Sequence, residues 1–309
     1  MAEERTMSRV SDQGWLGAFD GWTLFKYALV VLGVLFFLTP LETVVLTAFK
    51  TNGSIIASTP VTPPGPAGFT VANFGHAWNA LARGVVNSLL LTIPATILDV
   101  LLGSMAAYGL TLVNWRGQLG VLVLFIVGIF IPYQAVIVPL AKFWSNYLSL
   151  QSLLAPLWAL SFLTPEYAQL AQLIVTDVAY GIPICMFLFR GYYKGMSTDV
   201  VEAAKIDGAS LTKIYFRIVL PLSLPMVGVV FIYQFTQIWN EFLFALTIVG
   251  SSGSPVAPAT LVLSGLGEGT SGMLFGLRMA GALITAVPTI ALYLLFSDQF
   301  AAGLEGGGA

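Results

Sequence analysis

The chain of 309 residues is 57% hydrophobic and only 9% charged, with a formal net charge of −2. Soluble domains carry about 25% charged residues, so this composition excludes a purely soluble protein and assigns most residues to lipid. Because no long polar stretch is present, the length favours one membrane domain over two soluble domains.

The rarest residue types exclude several kinds of site. A single cysteine, Cys185, excludes a disulfide framework and a cysteine-based metal site, and a single histidine, His76, excludes a two-histidine zinc motif. No Walker A sequence occurs, since no lysine directly follows a glycine. Basic residues do not cluster with aromatic residues, so nucleic acid is not an expected partner. We therefore expect no metal, cofactor or nucleotide site on this chain.

Six apolar segments separated by polar stretches predict an all-α, polytopic membrane protein. A polar tail, 1–25, precedes a transmembrane domain, 26–309. The predicted spans are 27–49, 85–112, 119–140, 168–189, 221–249 and 279–296. The first of these is too long for the apolar region of a cleavable signal peptide. The Pro-, Gly- and Thr-rich stretch 50–83 is predicted to be extended or irregular.

The most charged stretch, 190–217, lies between the fourth and fifth spans, and its pattern predicts two short helices. Asp199 is expected to cap the first helix, with Glu202 completing a capping box. Gly208 is expected to end this helix in a left-handed turn. Ser210 is expected to cap the second helix.

A set of residues in and just after this stretch stands at a distinctive spacing: Glu202, Ala203, Ala204, Asp207, Gly208, Ala209, Phe216, Ile218, Leu220, Pro221 and Pro225. The set resembles the EAA loop of membrane permease subunits in binding-protein-dependent ABC importers, most of all the sugar importers of the maltose-permease type. The resemblance implies that the loop forms a coupling helix, which sits in a cleft of an ATPase subunit. The alanines permit close approach, and Glu202 offers one charge for a specific ion pair. Spacing alone would equally suit a cytosolic loop that only solvates its charges.

The resemblance also implies an architecture and a set of partners. It implies six transmembrane helices in the type I permease fold of ABC importers, in the cell (inner) membrane of a bacterium or archaeon. It implies assembly with a second, homologous permease subunit, two ATP-binding subunits and an extracytoplasmic solute-binding protein. ATP and magnesium would bind the ATPase subunits, so this chain would be a transport subunit and not an enzyme. The expected solute is a sugar or a related polyol.

The distribution of basic residues predicts the orientation of the chain. With the N-terminus inside, nine basic residues lie on the cytoplasmic side and four lie outside or near the outer face. The cytoplasmic set is Arg5, Arg9, Lys26, Arg116, Arg190, Lys194, Lys205, Lys213 and Arg217; the outer set is Lys50, Arg83, Lys142 and Arg278. This bias predicts that both termini and the EAA-like loop are cytoplasmic.

Polar side chains within the spans are candidates for a solute path, because a polar group in hydrocarbon needs a partner or a wet cavity. The candidates on the fifth span are Gln234, Gln237, Trp239, Asn240 and Glu241. The last three resemble a Trp-Asn-acid segment that is common in sugar-permease subunits. An interfacial tryptophan and interhelical hydrogen bonds would explain the same residues without a path.

Two further carboxylates, Asp99 and Asp177, lie inside the second and fourth predicted spans. We expect them to be structural partners of other helices. The alternative function is that of an ion-coupled secondary transporter or channel acting without an ATPase. In that case Asp99, Asp177 and Glu241 would be coupling-ion sites. Copurification with an ATPase would separate the two functions.

Overall fold

The computed structural model describes residues 21–160, 164–197, 199–268 and 274–296. Within these ranges the chain folds into α-helices joined by short connections. The helices are α1 (Gly21–Ala48), α2 (Asn52–Ala57), α3 (Ala72–Thr111), α4 (Gln118–Ile129), α5 (Tyr133–Lys142), α6 (Leu150–Leu153), α7 (Tyr167–Gly195), α8 (Asp199–Ile206), α9 (Leu211–Ile214), α10 (Leu220–Leu222), α11 (Leu224–Asn240), α12 (Leu243–Ile248), α13 (Ala259–Gly265) and α14 (Phe275–Leu295). Predictions made for residues 1–20 and 297–309 lie outside the described ranges.

Among the residues that the structure describes, four helices, α1, α3, α7 and α14, are long and apolar enough to cross a membrane without a break. Two bent segments bring the number of candidate spans in these ranges to as many as six. One joins α4 to the segment 133–153, and the other joins the segment 211–222 to α11. This arrangement confirms the predicted all-α, polytopic class.

Both bent segments turn close to a proline. The first bends by 98°, with Pro132 immediately before α5, and the second bends by 79° at Ser223, with Pro225 in the first turn of α11. Proline lacks a backbone N–H and disrupts the preceding helical turn. The apolar runs 119–140 and 221–249 are therefore broken, although hydropathy alone presents each as one continuous span.

The stretch 50–83 is only partly irregular, contrary to the prediction. Thr51 caps the short helix α2, and the 40-residue helix α3 already begins at Ala72. The side-chain amide of Asn73 donates to the carbonyl oxygens of Ala48 and Lys50, which ties the start of α3 to the end of α1. The first turns of α3 mix polar and small residues, so they carry no clear apolar period.

Helix α3 is the centre of the bundle, where it packs against α7, α11, α13 and α14. A Cβ atom at Gly103 would lie 2.5 Å from the Cβ of Cys185, so only glycine allows α3 and α7 to approach this closely. Small residues commonly permit such contacts between membrane helices. Most of the buried polar side chains in the described part of the chain lie on α3 and α7.

Helix α1 lies at the edge of the bundle and packs against α14. Its apolar side chains are largely bare, with Phe36 and Phe37 both about three quarters exposed. An apolar helix with this much exposed surface needs lipid or another subunit around it.

Candidate functional site

The first helix of the EAA-like loop, α8, ends in a glycine turn. Gly208 has a φ of 77°. The N–H of Ala209 donates to the carbonyl of Ala204, and the N–H of Gly208 donates to the carbonyl of Lys205, both at 3.0 Å. These paired bonds form a Schellman motif, in which glycine adopts the left-handed conformation at least cost. The predicted left-handed turn at Gly208 is confirmed.

The start of α8 differs from the prediction by one residue. Asp199 is the first helical residue and not the cap, and its N–H donates to the hydroxyl of Ser197 at 3.4 Å. Asp199 and Glu202 thus both lie in the first turn, where the positive end of the helix dipole stabilises carboxylates. The predicted cap of the next helix is confirmed, since the Ser210 hydroxyl accepts from the N–H of Lys213 at 3.3 Å.

Helix α8 has one face against the bundle and one face in solvent. Val201 is buried in a hydrophobic cluster that also contains residues of α3 and α7, and Ala204 and Ala209 pack against the same cluster. The other motif residues form an exposed face, namely Glu202, Ala203, Asp207 and Gly208. Ile206 stands beside them with 86% of its surface exposed. Sequence reasoning missed Ile206, although an apolar residue four positions after Glu202 shares its side of a helix.

Hydrogen bonds fasten the loop to α3 and α7. The Lys205 ammonium donates to the carbonyl of Leu112 at the end of α3, at 3.1 Å. The Tyr215 hydroxyl donates to the Ser104 hydroxyl at 3.0 Å, and Ser104 shares a 2.6 Å hydrogen bond with the Tyr193 hydroxyl. Ser104, Tyr193 and Tyr215 are all buried, and we call them the serine–tyrosine cluster. The cluster joins α3, α7 and the loop at one point.

Farther along α3, a buried acid and a buried amide form a pair. The Gln234 side-chain N–H of α11 donates to the Asp99 carboxyl at 2.7 Å. A methyl group at Gly181 of α7 would overlap both side chains. The pair therefore lies directly on the backbone of α7. Asp99 thus has the interhelical partner expected from the sequence.

A small polar cavity adjoins this pair. It is lined by Tyr133, Asp177, Tyr180, Gly181, Gln234, Gln237, Ile238 and Glu241. Its volume is ≈ 10 Å³, close to the room that one water molecule needs. Buried oxygen atoms of Asp177, Tyr180 and Gln234 have no hydrogen-bond partner among the described residues. These oxygen atoms can therefore take part in further hydrogen bonds inside the bundle.

The five predicted path residues of the fifth span do not lie together. Gln234, Gln237 and Glu241 line the small cavity. Trp239 is buried, stacks on Phe235 and donates its indole N–H to the backbone of α14 at 2.9 Å. These are the contacts of a packing residue.

Asn240 and Glu241 both hydrogen-bond backbone groups. Asn240 is exposed, and its amide donates to the Thr236 carbonyl of its own helix. The Glu241 carboxylate accepts the N–H groups of Phe244 and Ala245, at 2.8 and 3.3 Å, at the start of α12. Glu241 thus stabilises the break between α11 and α12 while also bordering the cavity.

Two tyrosines of the cavity wall were missed at the level of sequence. Tyr133 and Tyr180 stack with ring centroids 4.9 Å apart. Both residues are polar interruptions of apolar runs, but nothing in their spacing indicates that they meet. Among the residues that the structure describes, no group of three His, Cys, Asp or Glu side chains could hold a metal ion.

Comparison with known proteins identifies the family. Residues 99–302 match the family described as binding-protein-dependent transport system inner membrane component. The matched region begins at Asp99 and includes the whole EAA-like loop and the small cavity.

Individual relatives extend the similarity over most of the chain. The xylose/arabinose import permease protein XacI of Haloferax volcanii is 57% identical over 281 residues, which cover 91% of each chain. The diacetylchitobiose uptake system permease protein NgcG of Streptomyces coelicolor is 28% identical, covering 91% of this chain and 87% of that protein.

The fold also matches a solved structure. A chain of a bacterial ABC transporter involved in the import of the acidic polysaccharide alginate superposes with a TM-score of 0.62 at 16% identity. The match covers 90% of this chain and 96% of that chain. Family match, relatives and fold agree, and the chain belongs to the binding-protein-dependent transport system inner membrane components.

Proposed function

We propose that this permease works in an ATP-driven importer of a sugar or related polyol, and that the exposed face of α8 binds a separate ATPase subunit. The observation that carries the proposal is the division of the EAA-like motif into two faces. One face is packed into the bundle, and the other leaves Glu202, Ala203, Ile206 and Asp207 in solvent. An exposed apolar side chain flanked by charges suits a protein partner.

The attachment of α8 to the bundle provides a route for movement. Val201 and the serine–tyrosine cluster join the loop to α3 and α7. Cores and interfaces are closely packed, so displacement of α8 by a partner would carry these helices with it. Closure of the ATPase on ATP would then draw the loop inward and rock the spans from inward-facing to outward-facing.

The proposed solute path passes the small cavity, which has to widen as the spans rock, because ≈ 10 Å³ holds one water molecule and no sugar. Gln234, Gln237 and Glu241 offer amide and carboxylate groups that suit solute hydroxyls, next to the stacked rings of Tyr133 and Tyr180. The names of two relatives, which import xylose or arabinose and diacetylchitobiose, support a carbohydrate as the solute. The roles of Trp239 and Asn240 in the path stay predictions.

The proposed assembly contains a second, homologous permease subunit, two ATP-binding subunits and an extracytoplasmic solute-binding protein. The second permease subunit supplies the other half of the path. ATP and magnesium bind the ATPase subunits, while this chain carries out no covalent chemistry. Both termini and α8 face the cytoplasm of a bacterial or archaeal cell. The ion-coupled carrier considered as an alternative gains no support from the family or the relatives.

Charge reversal on α8 tests the proposal. Glu202→Lys should remove ATP-dependent uptake of D-xylose or L-arabinose, or separate uptake from ATP hydrolysis, because the exposed carboxylate loses its cationic partner. Arg116→Glu is the matched control, since it reverses an exposed charge in the turn between α3 and α4, on the same predicted side of the membrane. Uptake and hydrolysis are measured in proteoliposomes that contain the full complex. Normal coupled uptake in Glu202→Lys would contradict the role of α8.

A further inference from the structure

A polar cleft lies at the end of the bundle opposite the EAA-like loop. It borders the N-terminal end of α7, whose 29 residues span about 43 Å at a helical rise of 1.5 Å per residue. The cleft has a volume of ≈ 570 Å³, within the usual range of about 300–1,000 Å³ for small-molecule sites. Its polar lining includes Lys142, Gln151, Glu166, Gln169, Gln172 and Thr247.

Much of the hydrogen-bonding capacity of this lining is unused. The side chains of Lys142, Gln151 and Gln172 make no hydrogen bond with another described residue. Lys142 and Glu166 lie in the same cleft but no ion pair within 4 Å joins them in the described part of the chain. Glu166 is exposed, and a hydrogen bond from the Thr164 side chain lowers the pKa of its carboxyl group. The cleft thus offers hydrogen-bond donors and acceptors together with one basic and one acidic side chain. Such a lining suits a neutral solute with many hydroxyl groups.

The cleft and the small cavity share the same two walls. On α7, Gln169 and Gln172 border the cleft, whereas Asp177 and Tyr180 border the cavity. At 100° per residue these four side chains fall on one side of the helix. The other wall is formed by the chain around α12. Glu241, just before α12, lines the cavity, and Thr247, near the end of α12, lines the cleft. The polar side of α7 therefore leads from the cleft toward the interior of the bundle.

We propose that this polar cleft is the first binding station on the permease for the hydroxyl groups of the incoming sugar, before the sugar reaches the small cavity. The inference rests on the proposed import of a sugar and adds the residues of an entry site to it. Gln172 is the central contact, because it lies deepest along α7 among the polar side chains of the cleft and makes no hydrogen bond with another described residue.

Protection of an engineered thiol tests the entry site. The native Cys185 is fully buried between α3 and α7, so it adds little background to labelling from outside. Gln172→Cys is labelled with a membrane-impermeant methanethiosulfonate in liposomes that hold the permease–ATPase complex without the binding protein. Asn146→Cys is the matched control, being an exposed amide position on the adjoining segment that does not line the cleft. Excess D-xylose or L-arabinose is compared with glycine betaine at equal osmolarity.

We expect the sugar to slow labelling of Gln172→Cys severalfold and to leave Asn146→Cys unchanged. Equal rates with sugar and betaine at Gln172→Cys, or equal slowing at both positions, would overturn the entry site. ATP-dependent uptake by the unmodified complex with its binding protein is measured in parallel. If uptake of the sugar occurs without protection of Gln172→Cys, the entry site is wrong and the proposed import stands. If the unmodified complex takes up neither sugar, xylose and arabinose are not its solutes, and the entry site tested with them falls with that assignment.

Gln172→Leu provides a second measurement that does not depend on labelling. Loss of the amide should raise KM for uptake while kcat and the ATP consumed per sugar stay near their original values, because ground-state binding is lost. An unchanged KM would contradict the role of Gln172. A fall in kcat with unchanged KM would indicate a structural role instead.

Discussion

The exposed face of α8 and the small cavity both carry polar residues, but they are assembled in opposite ways. The α8 face comes from one run of residues, 202–208, and its local geometry depends on a single helix and its glycine turn. The cavity takes residues from α5, α7, α11 and the break after α11, which are far apart in sequence. An exposed face on one helix can thus be encoded locally, whereas a cavity inside a bundle needs several helices to meet.

The comparison predicts that a local backbone change has the largest effect on coupling. Gly208→Asp introduces a side chain at a φ of 77°, which costs about 1 kcal/mol of conformational free energy. The variant also disturbs the turn that ends α8 and fixes the position of its exposed face. We expect uptake to be nearly abolished, with the ATPase lost or uncoupled, while the spans still insert. Copurified ATPase and ATP-dependent uptake are the measurements.

The matched control for this change is Gly75→Asp. Gly75 is an exposed helical residue in the first turn of α3, and an added Cβ there meets nothing within 4 Å. We expect near-normal uptake from this variant. Equal losses in both variants would show that an added aspartate, and not the geometry of the α8 turn, is responsible.

A change at the wall of the cavity should act on stability first. Gly181→Ala places a methyl group where Asp99 and Gln234 lie, and overpacking of this kind costs roughly 1–3 kcal/mol. We expect a lower thermal unfolding midpoint of the purified permease and a corresponding loss of uptake. Thermal unfolding in detergent, followed by scattering or fluorescence, measures the effect.

Gly191→Ala on the same helix is the control for this variant, because an added Cβ there meets nothing within 4 Å. It should be neutral, or stabilising by up to about 1 kcal/mol through better helix propensity. If Gly181→Ala proves as stable as Gly191→Ala, the close packing of the acid–amide pair on α7 is wrong.

The smallest effect is expected from single amides near the cavity. Gln237→Ala removes a side chain that borders the cavity, and we expect a severalfold rise in KM with assembly unchanged. Asn240→Ala is the comparison variant, since both amides are exposed and both donate within their own helix, and a rise in KM confined to Gln237→Ala would favour the cavity over the Trp-Asn-acid segment. If both variants behave alike, Gln237 has no special place in the path.

Particular residues show where sequence reasoning succeeds. Gly208 and Ser210 were predicted as a left-handed turn and a cap, and both are confirmed, because each depends on hydrogen bonds between residues no more than five positions apart. The spans were recognised from hydropathy, since about 20 apolar residues are needed to cross the bilayer. The bends at Ser223 and beside Pro132 were not recognised, because hydropathy does not indicate whether an apolar run continues along one helix axis.

The predicted path residues show where sequence reasoning fails. Trp239 and Gln237 lie two positions apart, yet one packs against α14 and the other borders the cavity. The sequence does not distinguish their positions, since the neighbour that each side of a helix contacts depends on the packing of the whole bundle. Tyr133 and Tyr180 meet for the same reason without any signal in their spacing.

The amino-acid sequence by itself determined the membrane class, the helical content and the EAA-like loop, because hydropathy, capping and glycine turns act over a few residues at a time. Only the tertiary structure decided which motif residues point outward, how the loop is fastened to α3, and which polar side chains share a cavity. The pairing of Asp99 with Gln234 shows the physical reason, because it requires α3 and α11 to meet at Gly181 of α7, where the absence of a Cβ leaves room for both side chains.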